Sequence, residues 1–174
     1  AKIIRFRGPR KMGKSMALIL FIQYLMKGGD VVIYIPSPEL VKNVYSLYLE
    51  VICAFLNVIK GDQHPNLQSR DQVSLQTVVK LIKALKKKVN CTLVLLLDQE
   101  EEFLKGRDGS ILQFLQENSR LFDRIVTCGS GEGVIFDNSH RITVGKPLNC
   151  KEIQCLLKCY SRSDGHKEGA RILK

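Results

Sequence analysis

Residues 3–15 read Ile3-Ile4-Arg5-Phe6-Arg7-Gly8-Pro9-Arg10-Lys11-Met12-Gly13-Lys14-Ser15, and this stretch decides the fold. Ile3 to Phe6 has the character of a short buried strand that stops at Gly8. From Lys14 to Met26 apolar residues recur at helical spacing until Gly28-Gly29 ends the run. Between strand and helix, Gly8 to Ser15 fits G-x-x-x-x-G-K-[ST] at every fixed position. Glycines in such a loop let the backbone wrap until successive N–H groups converge on phosphate oxygens. The helix that starts near Gly13 adds the positive end of its dipole. The spacing therefore points to Gly8, Pro9, Arg10, Lys11, Met12, Gly13, Lys14, Ser15 and Met16 as the residues around a phosphate chain. Lys14 is expected to reach the β- and γ-phosphates, and Ser15 to offer its hydroxyl to Mg²⁺. The plainer alternative is a glycine turn between strand and helix that binds nothing.

The same alternation continues outward. Asp30 to Ile35 is a β-branched strand run closed by Pro36 and Pro38. Leu40 to Ile59 is apolar on nearly all sides, as expected of a helix packed on a sheet. Gly61 to Arg70 reads as a polar loop, and Gln72 to Val89 as a helix ending in Lys86-Lys87-Lys88. Thr92 to Leu97 is an unbroken apolar run into Asp98, the mark of a central parallel strand covered on both faces. Ser110 to Phe122 is amphipathic. Asp123 to Cys128 is a further strand leading into Gly129-Ser130-Gly131, and Arg141 to Val144 is the last. Asn149 to Tyr160 is expected to be helical, with Asn149 as N-cap and Glu152 three residues on. Strands alternating with helices predict a three-layer α/β fold around a mostly parallel five-stranded sheet. Residues 1–147 are expected to form its core, and 148–174 the start of a helical lid or a linker.

Composition sets the outer bounds. The chain has 174 residues, 45% hydrophobic and 25% charged, which suits one globular domain and excludes a disordered or collagenous one. Its apolar stretches, such as Met16–Phe21 and Leu93–Leu97, are far short of the roughly 20 residues that cross a bilayer. A start at Ala1, without initiator Met or leader, leads us to expect flanking domains of a longer chain. Six cysteines lie in apolar segments without a C-x-x-C pair, as reduced intracellular thiols would. Cys150, Cys155 and Cys159 near His166 do not have the spacing of a tetrahedral zinc set. The net charge of +10 raises nucleic acid as a partner. Lys80, Lys83, Lys86, Lys87 and Lys88 fall on one helix, and Lys83, Lys86, Lys87 and Lys88 are the expected points of weak phosphate contact. A solvated, cation-rich helix end explains these lysines equally well.

A magnesium ion on a nucleotide needs an acidic anchor at the carboxyl end of a neighbouring strand, and Asp98 stands there. Gln99 follows where many ATPases carry a Glu that polarises the attacking water, and Glu100, Glu101 and Glu102 come next. Glutamine orients water but accepts no proton. The expectation is slow hydrolysis, with Lys14, Gln99 and Glu100 as the catalytic group and Glu101 and Glu102 as a solvated loop. Thr127 and Ser130, at the end of the following strand, are the candidates for sensing a γ-phosphate.

With Gly8–Ser15, the Tyr34-Ile35-Pro36 strand exit and the Asp98-Gln99 pair in view, the chain resembles the P-loop ATPase domain of the Crinkler and retrotransposon-hot-spot group. These are signal-transduction-type ATPases, often joined to a nuclease-like domain. The resemblance covers most of the chain and implies a P-loop NTPase fold, ATP and Mg²⁺ as cofactors, and a switch or motor module of a larger effector-like protein acting in nuclei. The region after the last strand also resembles the P-L-x-x-x-E entry to the lid helix of such ATPases, at Pro147, Leu148 and Glu152. A second resemblance, to the GTP-binding protein of the mitochondrial small ribosomal subunit, implies a GTP-binding, RNA-associated structural role. The chain carries no N/T-K-x-D guanine motif, which favours ATP.

Overall fold

A computed structural model describes residues 2–59, 69–105, 109–131, 133–143, 149 and 151–155. Among them are five strands: β1 (Lys2–Arg7), β2 (Val31–Ile35), β3 (Leu93–Leu97), β4 (Arg124–Gly129) and β5 (His140–Thr143). Five α-helices connect them: α1 (Lys14–Lys27), α2 (Val44–Leu56), α3 (Leu75–Val89), α4 (Glu100–Lys105) and α5 (Ser110–Glu117). All strand pairs are parallel, in the order β2-β3-β4-β1-β5. The expected mostly parallel five-stranded sheet is therefore wholly parallel.

The strand order explains the layers. The chain leaves β1 for the far edge at β2, then returns through β3 and β4 and passes over β1 to β5. Right-handed crossovers put the helix of the outward step on one face and those of the return steps on the other. The core divides accordingly. Leu18, Phe21 and Leu25 of α1 pack on Val32, Val94, Leu96, Val126 and Cys128. Residues from α2, α3 and α5, among them Val51, Ile82 and Leu115, pack on Ile33, Ile35, Leu93, Leu95, Leu97 and Ile125. Even-numbered and odd-numbered positions of the central strands thus face opposite layers, as the two-residue period of a strand requires. Leu93 to Leu97 are all fully buried, which is why that run shows no polar alternation.

Local chemistry sets the helix starts. Asn43 caps α2 in a reciprocal box with Ser46, and the Ser74 hydroxyl accepts from Thr77 N–H at the start of α3. Asn90 ends α3 in the left-handed region at φ 49°, a conformation asparagine tolerates. Helix α2 starts at Val44 rather than Leu40, because a short 3₁₀ turn at Pro38–Leu40, capped by Ser37, intervenes. Beyond β5 the chain is helical over 151–155. Asn149 and Glu152 exchange bonds there in a full capping box, Asn149 N–H to Glu152 Oε2 at 3.0 Å and Glu152 N–H to Asn149 Oδ1 at 2.9 Å. Ile153 of that turn joins the α1 layer. The Gly61–Arg70 loop as far as residue 68, Pro147, Leu148, the expected domain boundary there and the rest of the expected lid lie outside the described residues.

Candidate functional site

The site grows from the end of β1. Gly8 is buried, and the turn that follows places both Lys11 (φ 63°) and Gly13 (φ 76°) in the left-handed region. Left-handed residues between right-handed ones point neighbouring N–H groups into one concavity, which is the shape of an anion nest. Gly13 is the N-cap of α1, and no side chain caps the helix there; its first turn holds no acidic residue. The Lys14 ammonium folds back over the loop and donates to the Gly8 carbonyl at 2.9 Å and the Pro9 carbonyl at 2.6 Å. Ser15 and Met16, in the first turn of α1, are exposed.

Strand β3 brings in Asp98, which is 5% exposed and continues the sheet through its N–H to the Ile35 carbonyl at 3.0 Å. One Asp98 oxygen accepts from Gln99 N–H at 2.8 Å, in a turn that holds Gln99 at φ 54°. Asp98 is an even position, so its carboxylate lies on the α1 side of the sheet beside Tyr34 and Cys128. Burial raises the pKa of both those groups, and the Asp98 charge raises it further. The charges of Lys14, which lowers the Cys128 pKa, and Glu101, which raises it, also act on this thiol, on β4 between β1 and β3.

The three glutamates after Gln99 divide sharply. Glu100 is 1% exposed. Its Oε2 pairs with the Arg5 Nε at 2.5 Å, its Oε1 accepts from Ile135 N–H at 2.9 Å, and Arg5 also donates to the Gly131 and Gly133 carbonyls. The expectation that Glu100 stands in as a base is therefore corrected: its carboxylate is consumed in a buried ion pair that ties β1 to the loop after β4. Gln99 opens instead onto a cleft of about 660 Å³ beyond the ends of β2 and β3, shared with Ser37, Lys42, Glu102, Phe103 and Ile111. Glu101, read from sequence as solvated loop, is the residue that returns to the site. Its Oε1 accepts from the Ser130 hydroxyl at 2.6 Å and its Oε2 from Ser130 N–H at 3.1 Å. Partial burial works to raise the pKa of this carboxyl, but the Ser130 hydroxyl, the N–H groups of Glu101 and Ser130 and the Lys14 charge outweigh it, and the net shift is downward.

Of the two sensor candidates, Ser130 is thus engaged with Glu101. Thr127 lies three residues earlier, 1% exposed, between Arg5 and Leu97 in register, and its hydroxyl has no hydrogen-bond partner among the described residues. The lysines of α3 separate as well. Lys80, Lys83, Lys87 and Lys88 are exposed, whereas Lys86 is held by Asp123 at 2.7 Å and by the Leu121 carbonyl at 3.3 Å. Lys86, an expected point of phosphate contact, thus braces α3 against the start of β4.

Cys53, Cys91, Cys128 and Cys155 are free thiols. Among the described residues there is no group of three or more His, Cys, Asp or Glu placed to hold a metal ion, and no helix long and apolar enough to cross a membrane. Cys150, Cys159 and His166 lie outside the described residues. Neither a family model nor a curated protein matches the chain, so its functional reading rests on the geometry of this loop and the strand ends beside it.

Proposed function

We propose that the domain binds a magnesium nucleoside triphosphate, ATP in preference to GTP, between the Gly8–Ser15 loop and Asp98, and hydrolyses it slowly as a switch within a larger protein. The observation that carries this reading is the loop at the end of β1, where Lys11 and Gly13 take left-handed backbone, α1 begins without a side-chain cap, and the Lys14 ammonium folds back onto the Gly8 and Pro9 carbonyls. The strand order supports it, because β4 lies between the loop-bearing β1 and the Asp98-bearing β3, the arrangement of ATPases with an extra strand between the two motifs.

Each residue has a physical task. The nest at Lys11–Gly13 and the uncapped start of α1 supply N–H donors to phosphate oxygens. Lys14 satisfies its charge on the Gly8 and Pro9 carbonyls and exchanges them for β- and γ-oxygens when a triphosphate enters. Magnesium, which takes oxygen ligands and is usually held by one or two protein groups plus phosphates and water, fits the donor set of Asp98 carboxylate and Ser15 hydroxyl. Bound there, the ion would neutralise charge on the phosphate oxygens.

Lys14→Ala is the direct test, read by equilibrium binding of Mg–ATP and Mg–GTP with circular dichroism on the same samples. Loss of binding with an unchanged spectrum is expected. Binding as tight as the parent's would mean that the pocket lies elsewhere.

A further inference from the structure

We propose that Glu101, positioned by Ser130, is the carboxylate that accepts the proton of the attacking water. The inference rests on the nucleotide reading and deepens it, since composition and motif spacing alone direct attention to Gln99 and Glu100 instead.

Four observations bear on it. First, the neighbours are otherwise committed: Glu100 is inside the protein on Arg5, Gln99 lines the cleft, and Glu102 pairs with Lys105 at 3.3 Å on the surface. Second, Glu101 is held by a pair of donors from one residue, the Ser130 hydroxyl at 2.6 Å and its N–H at 3.1 Å. A carboxylate has about four acceptor positions, so two bonds fix its orientation and leave room for a water. Third, the end of β4 is shaped around this carboxylate. A Cβ on Gly129 would stand 2.8 Å from Glu101 Oε2 and 3.1 Å from Glu100 Cβ, so only glycine leaves both glutamates in place. Fourth, the end of β4 that holds Glu101 adjoins the loop: Gly129 is in register with Arg7, the last residue of β1 before Gly8, and the Lys14 charge also acts on Glu101. The same donors hold the carboxyl below its ordinary value, which keeps it charged and able to accept a proton while making it a weaker base than a carboxyl with a raised pKa.

The step balances as follows. The water oxygen forms a bond to the γ-phosphorus while the bond from that phosphorus to the β–γ bridging oxygen breaks. The bridging oxygen leaves with the electron pair on the diphosphate. The water proton passes to Glu101 and then to solvent, which restores the carboxylate.

The experiment measures Mg–ATP binding and phosphate release for the parent chain, Glu101→Gln, Glu101→Asp, Ser130→Ala and Glu102→Gln. Glu101→Gln is expected to slow release by about 10²–10⁴-fold, the usual worth of a general base, at an unchanged dissociation constant. Glu101→Asp should recover part of the rate. Ser130→Ala, which keeps the N–H but loses the hydroxyl, should lower kcat without altering KM, and Glu102→Gln should behave as the parent. Phosphate release by Glu101→Gln at the parental rate overturns the inference and leaves the nucleotide reading standing. So does a parent that binds Mg–ATP and releases no phosphate. A parent that binds no nucleotide removes the reading and the inference together.

Discussion

Replacing Glu100 by glutamine should unfold this domain more readily than any other change of one glutamate among the three after Gln99. The substitution is nearly isosteric, so packing is preserved and the effect isolates the charge. Glu100 is 1% exposed and Arg5 is 3% exposed, so neither group can turn to water. The glutamine oxygen can still accept from Ile135 N–H, but its amide then turns a donor toward the Arg5 Nε donor. The guanidinium remains charged and buried, with the neutral Gly131 and Gly133 carbonyls as its remaining acceptors among the described residues. Removing one partner of a buried pair costs about 3–5 kcal/mol, out of a total of about 5–15 kcal/mol for a domain. At a urea dependence of about 2 kcal/mol per molar, the unfolding midpoint should fall by about 2 M. Urea titration followed by far-ultraviolet circular dichroism measures it. The double variant Arg5→Met with Glu100→Leu removes both charges and should recover most of the loss, since apolar replacement of a whole buried pair is often neutral or better. A Glu100→Gln midpoint within about 0.5 M of the parent would refute the reasoning, because an orphaned buried guanidinium cannot be that cheap. A double variant less stable than the single would refute it too.

Two further changes probe the same region. Gly129→Ala should cost about 1–3 kcal/mol and reduce phosphate release, because the new Cβ would meet Glu101 Oε2 at 2.8 Å and the fixed Glu100 Cβ at 3.1 Å. Gly131→Ala, whose Cβ would make only an ordinary 3.5 Å contact, serves as the control, and equal urea midpoints for the two would count against the close fit. Asp123 governs an acid-side effect. Partial burial works to raise its pKa, but Leu93 N–H and the Lys86 ammonium lower it by more. A carboxyl whose folded pKa is depressed contributes stability above its unfolded value near about 4, lost as pH falls through the folded value. The gap in thermal midpoint between the parent and Asp123→Asn should therefore narrow below about pH 4. With the side chain 41% exposed, solvent screening keeps the gap under about 1 kcal/mol, and a gap independent of pH would show that this carboxylate does not titrate with folding.

The sequence alone determined the alternation of strands and helices and the position of the glycine-bearing loop between β1 and α1, because both are written in local signals. A fully buried run such as Leu93–Leu97, the glycines and lysine of residues 8–14, and caps such as Asn149 with Glu152 each act within a few residues of themselves. The edges of elements were less legible, as with α2, where a Ser37-capped turn competes with the helix for residues 38–40. What only the tertiary structure decided is which glutamate serves which purpose. Successive residues at a helix start turn by about 100° each, so Glu100, Glu101 and Glu102 point in different directions although their composition is identical. Gln99, held at φ 54°, sets the angle at which that turn begins. The partners that then select each carboxylate come from far away in the chain: Arg5 from β1 for Glu100, Ser130 from the end of β4 for Glu101. The same holds for Lys86, one of three consecutive lysines, which is set apart by Asp123 across the layer. Local patterns carry periodicity but not azimuth, and a buried charge finds its partner only when the sheet closes around both.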